Sequence, residues 1–259
     1  MIFCIDIGNS NIVYGCFDRD RLVFSSRAAT DSRRMSDQYA VELRAVLEIH
    51  GVRPEDVTDA IVSSVVPGVT TSVADAAETV FGLSPQLLTP SCYKNLEIRL
   101  DNPRELGCDL LATAVAAKAK YPLPLIVIDM GTATKLTVIS HDGAFLGGAI
   151  LPGLRIATEA LVANTSLLPG VSFKAPLHTI GSNTTDCMMS GAVFGTASLL
   201  DGMFERMCVE LGECATAVIT GGLADIVAPH CTMPLIRDSE LLLGGLRIIC
   251  ETDSQPRTK

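Results

Sequence analysis

One seven-residue pattern occurs twice in the chain, and its repetition limits the folds that the sequence can adopt. The copies are Ile5-Asp6-Ile7-Gly8-Asn9-Ser10-Asn11 and Ile128-Asp129-Met130-Gly131-Thr132-Ala133-Thr134. In each copy an apolar run ends in an aspartate, a glycine follows two residues later, and three small residues precede a second apolar run. This order predicts a β-hairpin whose turn presents one carboxylate and several backbone N–H groups. Two copies about half a chain apart favour two related half-domains.

A single copy of this pattern has two interpretations, because Asn and Gly also supply the geometry of ordinary hairpin turns. In the functional interpretation, the glycine lets ligand oxygens approach the backbone while the turn N–H groups bind an anion. A carboxylate beside a phosphate makes sense mainly with Mg²⁺ between them, so Asp6 is our candidate for Mg²⁺, through water. Candidate donors to phosphate oxygens, with turn-stabilising hydrogen bonds as the alternative, are Asn9, Ser10, Thr132 and Thr134.

Length and composition argue against several functional classes. The chain has 259 residues, 48% of them hydrophobic, which suffices for one large domain or for two modest domains with their own cores. A net charge of −9 argues against a nucleic-acid partner, which needs a basic face. We expect no membrane association and no signal peptide, because we find neither an apolar stretch approaching ~20 residues nor a basic N-terminal segment. Nine cysteines without a C-x-x-C pair predict reduced thiols in a cytoplasmic protein.

Hydrophobic periodicity predicts the same order of elements in both halves of the chain. Three strands, near 2–7, 12–17 and 22–28, precede alternating helices and strands, and the second half repeats this order from about residue 125. Two prolines in Tyr121-Pro122-Leu123-Pro124 mark a boundary, so we expect domains at residues 1–121 and 122–259. The plan is that of an α/β protein with two ribonuclease-H-like (actin-like ATPase) domains. Each would be a mixed five-stranded sheet flanked by helices, with a shared nucleotide cleft.

Two further stretches allow a functional and a structural interpretation. Thr220-Gly221-Gly222 places two glycines before a predicted helix, where a base or ribose could lie against the backbone. A simple strand-to-helix turn fits those glycines almost as well. Asp109 follows an acid-rich stretch and begins an Ala-rich helix, and its spacing alone favours the role of a helix N-cap.

An ordered set of six motifs resembles type III pantothenate kinases and covers nearly the whole chain. Each motif is loose by itself, whereas their order and spacing together are specific. They are Asp-x-Gly-Asn-Ser from Asp6, Asn-Pro-x-x-x-Gly-x-Asp from Asn102, Asp-x-Gly-Thr-Ala-Thr from Asp129, Leu-Pro-Gly from Leu151, Ile-Gly-x-Asn-Thr from Ile180 and Thr-Gly-Gly from Thr220.

The resemblance implies ATP-dependent phosphorylation of pantothenate to 4'-phosphopantothenate, the first step of coenzyme A biosynthesis. It implies that Asp109 is the general base and that Asp129 binds a monovalent cation, K⁺ or NH₄⁺. It also implies a cytoplasmic homodimer that uses ATP and Mg²⁺. The implied ATP contacts are Asp6, Ile7, Gly8, Asn9, Ser10, Asn11, Ile12, Val13 and Thr132. The implied pantothenate contacts are Gly107, Cys108, Asp109, Leu110 and Thr184.

Several residues depart from the pattern that the resemblance implies. Leu110 stands where the family commonly has an arginine that helps to hold the substrate, so another cation, Arg104 or Lys135, would have to replace it. Lys135 and Thr137 stand where Thr and Asp are expected, and Met189 stands where Gln is usual. Two alternatives therefore stay open: a kinase for another small hydroxylated substrate of the same superfamily, and a non-catalytic nucleotide-binding regulatory protein.

Overall fold

A computed structural model describes residues 1–90, 93–170 and 172–252 of the chain. Their first half contains strands and helices close to the predicted positions. The strands are β1 (Ile2–Ile7), β2 (Asn11–Asp18), β3 (Arg21–Ala29), β4 (Asp59–Ser64) and β5 (Gln86–Leu87). The helices are α1 (Ser36–Ile49), α2 (Pro67–Phe81) and α3 (Cys108–Lys120).

The second half repeats this order of elements, as the motif repeat predicts. Its strands are β6 (Leu125–Met130), β7 (Ala133–Ile139), β8 (Phe145–Pro152), β9 (Thr216–Thr220) and β10 (Leu235–Arg237). Its helices are α4 (Leu154–Ala163), α5 (Thr184–Leu211), α6 (Ala224–Val227) and α7 (Leu241–Thr252).

Within the described residues, each half forms a mixed five-stranded sheet, and the two sheets have the same topology. The first has the order β3-β2-β1-β4-β5, and the second has the order β8-β7-β6-β9-β10. In both, three antiparallel strands form a meander, and the last two strands run parallel to its first strand. The predicted fold class, two ribonuclease-H-like domains, is therefore confirmed.

The chain divides into two compact units whose bounds differ from the predicted 1–121 and 122–259. Unit 1 contains Met1–Leu96, Asp101–Ala116 and the C-terminal segment from Leu241, whereas unit 2 contains Glu97–Leu100 and Ala117–Glu240. Helix α7 joins unit 1 because it packs on β1 and β4. The Glu97–Leu100 segment joins unit 2 because the Arg99 N–H donates to the Phe145 carbonyl at 2.8 Å.

The core of unit 1 lies on one face of its sheet. Phe3, Ile5 and Ile7 alternate along β1 and pack with Tyr39 and Leu43 of α1 in one buried cluster. On β2, a Cβ at Gly15 would lie 2.8 Å from Leu243 of α7, so this position is small because the helix lies against it. The sheet is thus covered by helices on both sides.

The core of unit 2 is built in the same way around β6. Ile126, Ile128 and Met130 share one face with Leu136 and pack against the helices of the second half, including buried side chains of α5. The remaining side chains of β6, among them Asp129, point to the opposite face because the side chains of a strand alternate. The aspartate of the second motif therefore lies outside the apolar core.

Helix α5 is the one helix in the described part of the chain that is long and apolar enough to cross a bilayer. Its most apolar window has a mean hydropathy of 1.2, and 39% of that window is buried. The sequence interpretation had found no such stretch. Length and composition alone are weak indications, because core helices of soluble proteins pass the same test. Ala197, Leu200 and Phe204 of α5 belong to the apolar cluster of unit 2.

Candidate active site

The first hairpin holds Asp6 at its base and a polar turn at its tip. Asp6 is 8% exposed, lies opposite Val13, and accepts a 2.8 Å hydrogen bond from the Ser63 hydroxyl of the parallel strand β4. The Gly8 N–H donates to the Asn11 carbonyl at 3.0 Å and closes the turn. The Thr30 hydroxyl donates to the Gly8 carbonyl at 2.7 Å, so the end of β3 fixes the turn from one side.

The predicted ATP contacts of this hairpin differ in how exposed they are. Ile7 and Ile12 are completely buried in the core of unit 1, so only their backbone atoms can reach a ligand. Val13 is half-buried and directly faces Asp6. The exposed residues at the tip are Asn9, Ser10 and Asn11. A polar tip beside a buried carboxylate matches the arrangement that the motif predicts.

The second hairpin carries a charged pair at the equivalent position. Asp129 lies directly opposite Lys135 in the β6–β7 ladder, and Lys135 Nζ is 3.5 Å from Asp129 Oδ2. The lysine and aspartate side chains are only 19% and 22% exposed. A Cβ at Gly131 would lie 3.6 Å from Asp129 Oδ1, so the carboxylate is close to the turn. The predicted ATP contact Thr132 is exposed in that turn.

Two other motifs pack their glycines against the second hairpin. A Cβ at Gly153, of the Leu-Pro-Gly motif, would lie 2.1 Å from the Thr132 carbonyl oxygen. Gly221, of the Thr-Gly-Gly motif, has a φ of +98°, and its Cβ would lie 2.6 Å from the Met130 backbone. Only glycine allows such close approach, so both motifs support the second hairpin. This packing accounts for Gly221 without a ligand, and a contact with base or ribose stays a prediction.

Asp109 is the second residue of α3, so it lies inside the helix rather than at the position before it. Its Oδ1 accepts a 2.9 Å hydrogen bond from the Leu110 N–H. A Cβ at Gly107 would lie 2.5 Å from the same oxygen, so the glycine makes room for the carboxylate. The N-terminus of a helix favours an anion at this place. Asp109 is half-buried and thus remains accessible to a small molecule.

The other predicted pantothenate contacts differ in whether their side chains are accessible to a substrate. The Cys108 thiol is buried and donates to the Leu88 carbonyl at 3.1 Å, so its side chain is turned into unit 1. Leu110 is half-buried, and Arg104, a candidate to replace the expected arginine, is exposed. Thr184 is the exposed first residue of α5, and the Asn183 side chain caps that helix by accepting the Asp186 N–H at 2.9 Å.

Metal binding can be judged from the donor atoms at each hairpin. No group of three or more His, Cys, Asp or Glu side chains that could hold an ion occurs within residues 1–90, 93–170 and 172–252. The single carboxylate of Asp6 fits Mg²⁺, which keeps most of its water ligands. Asp129 does not fit a monovalent cation in the same way, because Lys135 already faces it. A second positive charge about 4 Å from an ammonium costs roughly 4 kcal/mol at an effective dielectric constant of 20.

Two features of the structure were not predicted from the sequence. Ser63 donates to Asp6 across 57 residues of chain, and no local pattern indicates which strand pairs beside β1.

The second feature is a buried carboxylate in unit 2. Asp238, which is 8% exposed, accepts hydrogen bonds from Lys120 Nζ at 2.9 Å and from the Tyr121 hydroxyl at 2.8 Å. Burial alone would raise the pKa of Asp238, but these hydrogen bonds hold it below its usual value. Burial and the hydrogen bond to Asp238 raise the pKa of Tyr121 to about 12.

Comparison with solved structures identifies proteins that share this fold. Component A of (R)-2-hydroxyglutaryl-CoA dehydratase from Acidaminococcus fermentans aligns with a TM-score of 0.58 at 14% identity, over 98% of this chain and 100% of that one. The inorganic polyphosphate/ATP-glucomannokinase from Arthrobacter sp. strain KM aligns with a TM-score of 0.52 at 15% identity, over 98% of both chains. At these identities the likeness shows the fold alone, which is that of actin-like ATPases and related kinases.

Sequence comparison then identifies the family. The family model of type III pantothenate kinase matches residues 2–206. A type III pantothenate kinase from Myxococcus xanthus is 41% identical over 249 residues, which cover 96% of this chain and 97% of the relative. The chain therefore belongs to the type III pantothenate kinase family.

Proposed function

We propose that the protein transfers the γ-phosphoryl group of ATP to pantothenate and forms 4'-phosphopantothenate, the first step of coenzyme A biosynthesis. Membership of the type III pantothenate kinase family, over nearly the full length of the chain, carries this proposal. The position of Asp109 supports it, since a half-buried carboxylate at a helix N-terminus, with a glycine making room for it, suits a general base.

The turn of each hairpin offers polar groups to the phosphates of ATP. The Asn9–Asn11 turn is exposed and polar, and Thr132 is exposed in the equivalent turn. Thr134 also supports this role, because it is 2% exposed and its hydroxyl has no hydrogen-bond partner within the described part of the chain. A buried hydroxyl without a partner costs about 1–3 kcal/mol, and a bound phosphate oxygen would remove that cost.

Asp109 acts on the acceptor. Its carboxylate takes the proton of the pantothenate hydroxyl as the hydroxyl oxygen forms a bond to the γ-phosphorus. The bond between the γ-phosphorus and the oxygen bridging to the β-phosphate breaks, and ADP leaves with that electron pair. The Leu110 N–H bond to Asp109 Oδ1 keeps the carboxylate oriented.

Asp6 would hold Mg²⁺ through water, and the ion would offset the negative charge of the transferring phosphates. Ser63 donates to Asp6 Oδ1, which fixes the carboxylate in one orientation. Pantothenate contacts come from Gly107, Leu110 and Thr184 and from the backbone of Cys108. Arg104, which is exposed and four residues before Cys108 in the chain, meets the substrate carboxylate in place of the arginine expected at position 110.

The cellular setting follows from the same proposal. The protein works in the cytoplasm as a homodimer. It binds neither nucleic acid nor membrane. The net charge of −9 supports the absence of nucleic-acid binding. The packing of Ala197, Leu200 and Phe204 of α5 into an apolar core supports the absence of membrane binding.

A coupled assay of ADP release, with ATP, Mg²⁺ and a panel of hydroxylated acceptors, tests the activity. We expect turnover with pantothenate and a loss of about 10²-fold or more in kcat for Asp109→Asn, because general base catalysis supplies 10²–10⁴-fold. The variant should bind ATP with unchanged affinity. Asp101→Asn is the matched control, since it removes an exposed acid from the same stretch.

Each contrary result has a definite meaning. Turnover with another acceptor but not with pantothenate would replace the proposed substrate. ATP binding without turnover on any acceptor would favour the regulatory alternative. Full activity of a folded Asp109→Asn enzyme would leave the reaction intact and remove Asp109 from the role of base.

A further inference from the structure

We infer that the ammonium group of Lys135 takes the place of a monovalent cation at Asp129, so that this kinase works without K⁺ or NH₄⁺. The inference deepens the proposed function, and the activity test described below rests on that function. The binding test does not rest on it, because binding of an ion to the folded protein can be measured without turnover.

The β6–β7 register places the two groups together. Asp129 and Lys135 are directly opposite in the ladder and lie on the same face of the sheet. Lys135 Nζ is 3.5 Å from Asp129 Oδ2, which is within the range of an ion pair. Both side chains are about four-fifths buried, so the pair is far less screened than a surface ion pair.

The pair lies at the phosphate end of the second hairpin. Asp129 Oδ1 is 3.6 Å from the place where a Gly131 Cβ would be, so the carboxylate reaches back towards the turn. Close packing of Gly153 against the Thr132 carbonyl and of Gly221 against Met130 fixes the backbone of this turn. A lysine in the second ladder position after such a turn therefore has a defined place, and its charge is held beside the carboxylate.

An ammonium group is a good electrostatic substitute for a bound K⁺ ion. Both carry one positive charge in a compact volume, and each neutralises one carboxylate. The lysine differs in being tethered, so its charge is present at any salt composition. A free cation would have to share Asp129 with Lys135 and would be repelled by it. The first hairpin offers no such group at the equivalent ladder position, since Asp6 faces the uncharged Val13.

The binding test compares the thermal unfolding midpoint in KCl and in tetramethylammonium chloride at equal ionic strength. A ligand that binds the folded state raises the midpoint by mass action. We expect equal midpoints in the two salts for the wild-type protein and a higher midpoint in KCl for Lys135→Thr, whose hydroxyl and freed carboxylate can hold K⁺. Lys135→Arg keeps the charge and should show no difference between the salts. Lys174→Thr, which removes an exposed lysine of unit 2, is the matched control.

The activity test uses the same salts with ATP, Mg²⁺ and pantothenate. The wild type should have the same kcat/KM for ATP in both salts, within about twofold. Lys135→Thr should lose about tenfold or more in the tetramethylammonium salt and regain most of it in KCl, because the ion restores a missing electrostatic contact. Titration of KCl against the variant gives the affinity of the new site.

Several outcomes would overturn the inference. A wild-type midpoint or ATP affinity that rises specifically with K⁺ would show a cation site beside Lys135. A Lys135→Thr protein that neither binds K⁺ nor recovers with it would show that Lys135 does not stand in for the ion. If Lys135→Thr fails to fold, the wild-type comparison decides alone. If the wild type phosphorylates no pantothenate in either salt, the proposed function fails, while the unfolding midpoints still decide on the site.

Discussion

The two hairpins have the same backbone plan but carry different charges. Each has an aspartate one residue before the end of its central strand, yet Asp6 faces Val13 and accepts a hydrogen bond from Ser63, whereas Asp129 faces Lys135. The repeat therefore preserves the scaffold that presents backbone N–H groups, while the residue opposite each aspartate decides what that carboxylate can bind. An aspartate beside an uncharged residue suits Mg²⁺, and one beside an ammonium does not.

The hairpins also differ in how their turns are held. The first has four residues, 8–11, between the paired Ile7 and Ile12, and hydrogen bonds from Thr30 support it. The second has three, 131–133, between the paired Met130 and Thr134. It depends on glycines that touch its backbone from the neighbouring segments. Side-chain hydrogen bonds tolerate small displacements, whereas a glycine packed directly against backbone atoms leaves no room for them. The second hairpin should therefore be the more sensitive to a side chain added at the glycines that contact it.

The largest expected difference between the hairpins is in catalysis. Asp6→Asn keeps the shape of the side chain and removes the charge that we propose holds Mg²⁺, so we expect kcat/KM to fall by roughly 10²-fold or more. The Mg²⁺ concentration at half-maximal activity should rise at the same time. Steady-state kinetics over a Mg²⁺ titration measures both. Unchanged Mg²⁺ dependence in a folded variant would mean that the two carboxylates are not specialised as we propose.

The next difference concerns stability. Gly153→Ala places a methyl group 2.1 Å from the Thr132 carbonyl oxygen and forces the second hairpin to move. We expect a loss of about 3 kcal/mol in the free energy of unfolding, at the upper end of the range for overpacking. Gly8→Ala meets the Asn11 carbonyl at 3.1 Å and should cost about 1 kcal/mol or less. Urea unfolding compares them, and equal losses would contradict the difference in turn support.

Much of this organisation could be predicted from the sequence, because it depends on local patterns. The apolar runs before Asp6 and Asp129 predicted β1 and β6, and the spacing around Asp109 predicted the start of α3 within one residue. Contacts distant in sequence could not be predicted. The pairing of β4 beside β1, which brings Ser63 to Asp6, depends on tertiary packing. The same holds for α7, whose periodicity does not indicate which sheet it covers.

Lys135 shows this limit most clearly. The sequence interpretation considered it as a replacement for the substrate-binding arginine expected at position 110. The β7 register instead sets it opposite Asp129, and their charges then pair at 3.5 Å. A shift of one residue in that register would have moved the ammonium to the other face of the sheet. Ladder register was therefore the missing information.

Val13→Lys should give the first hairpin the charge arrangement of the second. Val13 is half-buried, so a lysine can place its ammonium beside Asp6 without disturbing the core. The new cation would compete with Mg²⁺, and we expect the apparent Mg²⁺ affinity to fall about tenfold, equivalent to roughly 1.4 kcal/mol. Val13→Met is the control for side-chain length. If both variants behave alike, the loss comes from bulk rather than charge, and the comparison between the hairpins fails.

The smallest effect concerns a second Asp–Lys pair in unit 2, between Asp238 and Lys120. Asp238→Asn should lower the free energy of unfolding by about 1 kcal/mol near neutral pH, since Lys120 is partly exposed and screened, while kcat stays unchanged. The folded-state pKa of Asp238 is depressed, so its contribution is present above about pH 4 and is lost as the pH falls through the folded value. The difference between wild type and variant should therefore shrink in acid. Urea unfolding from pH 7 to pH 3 measures it, and a difference that grows in acid would contradict the sign. Asp129→Asn in the same experiments should lower kcat as well, because its pair belongs to the second hairpin, which we propose binds phosphate, and that of Asp238 does not.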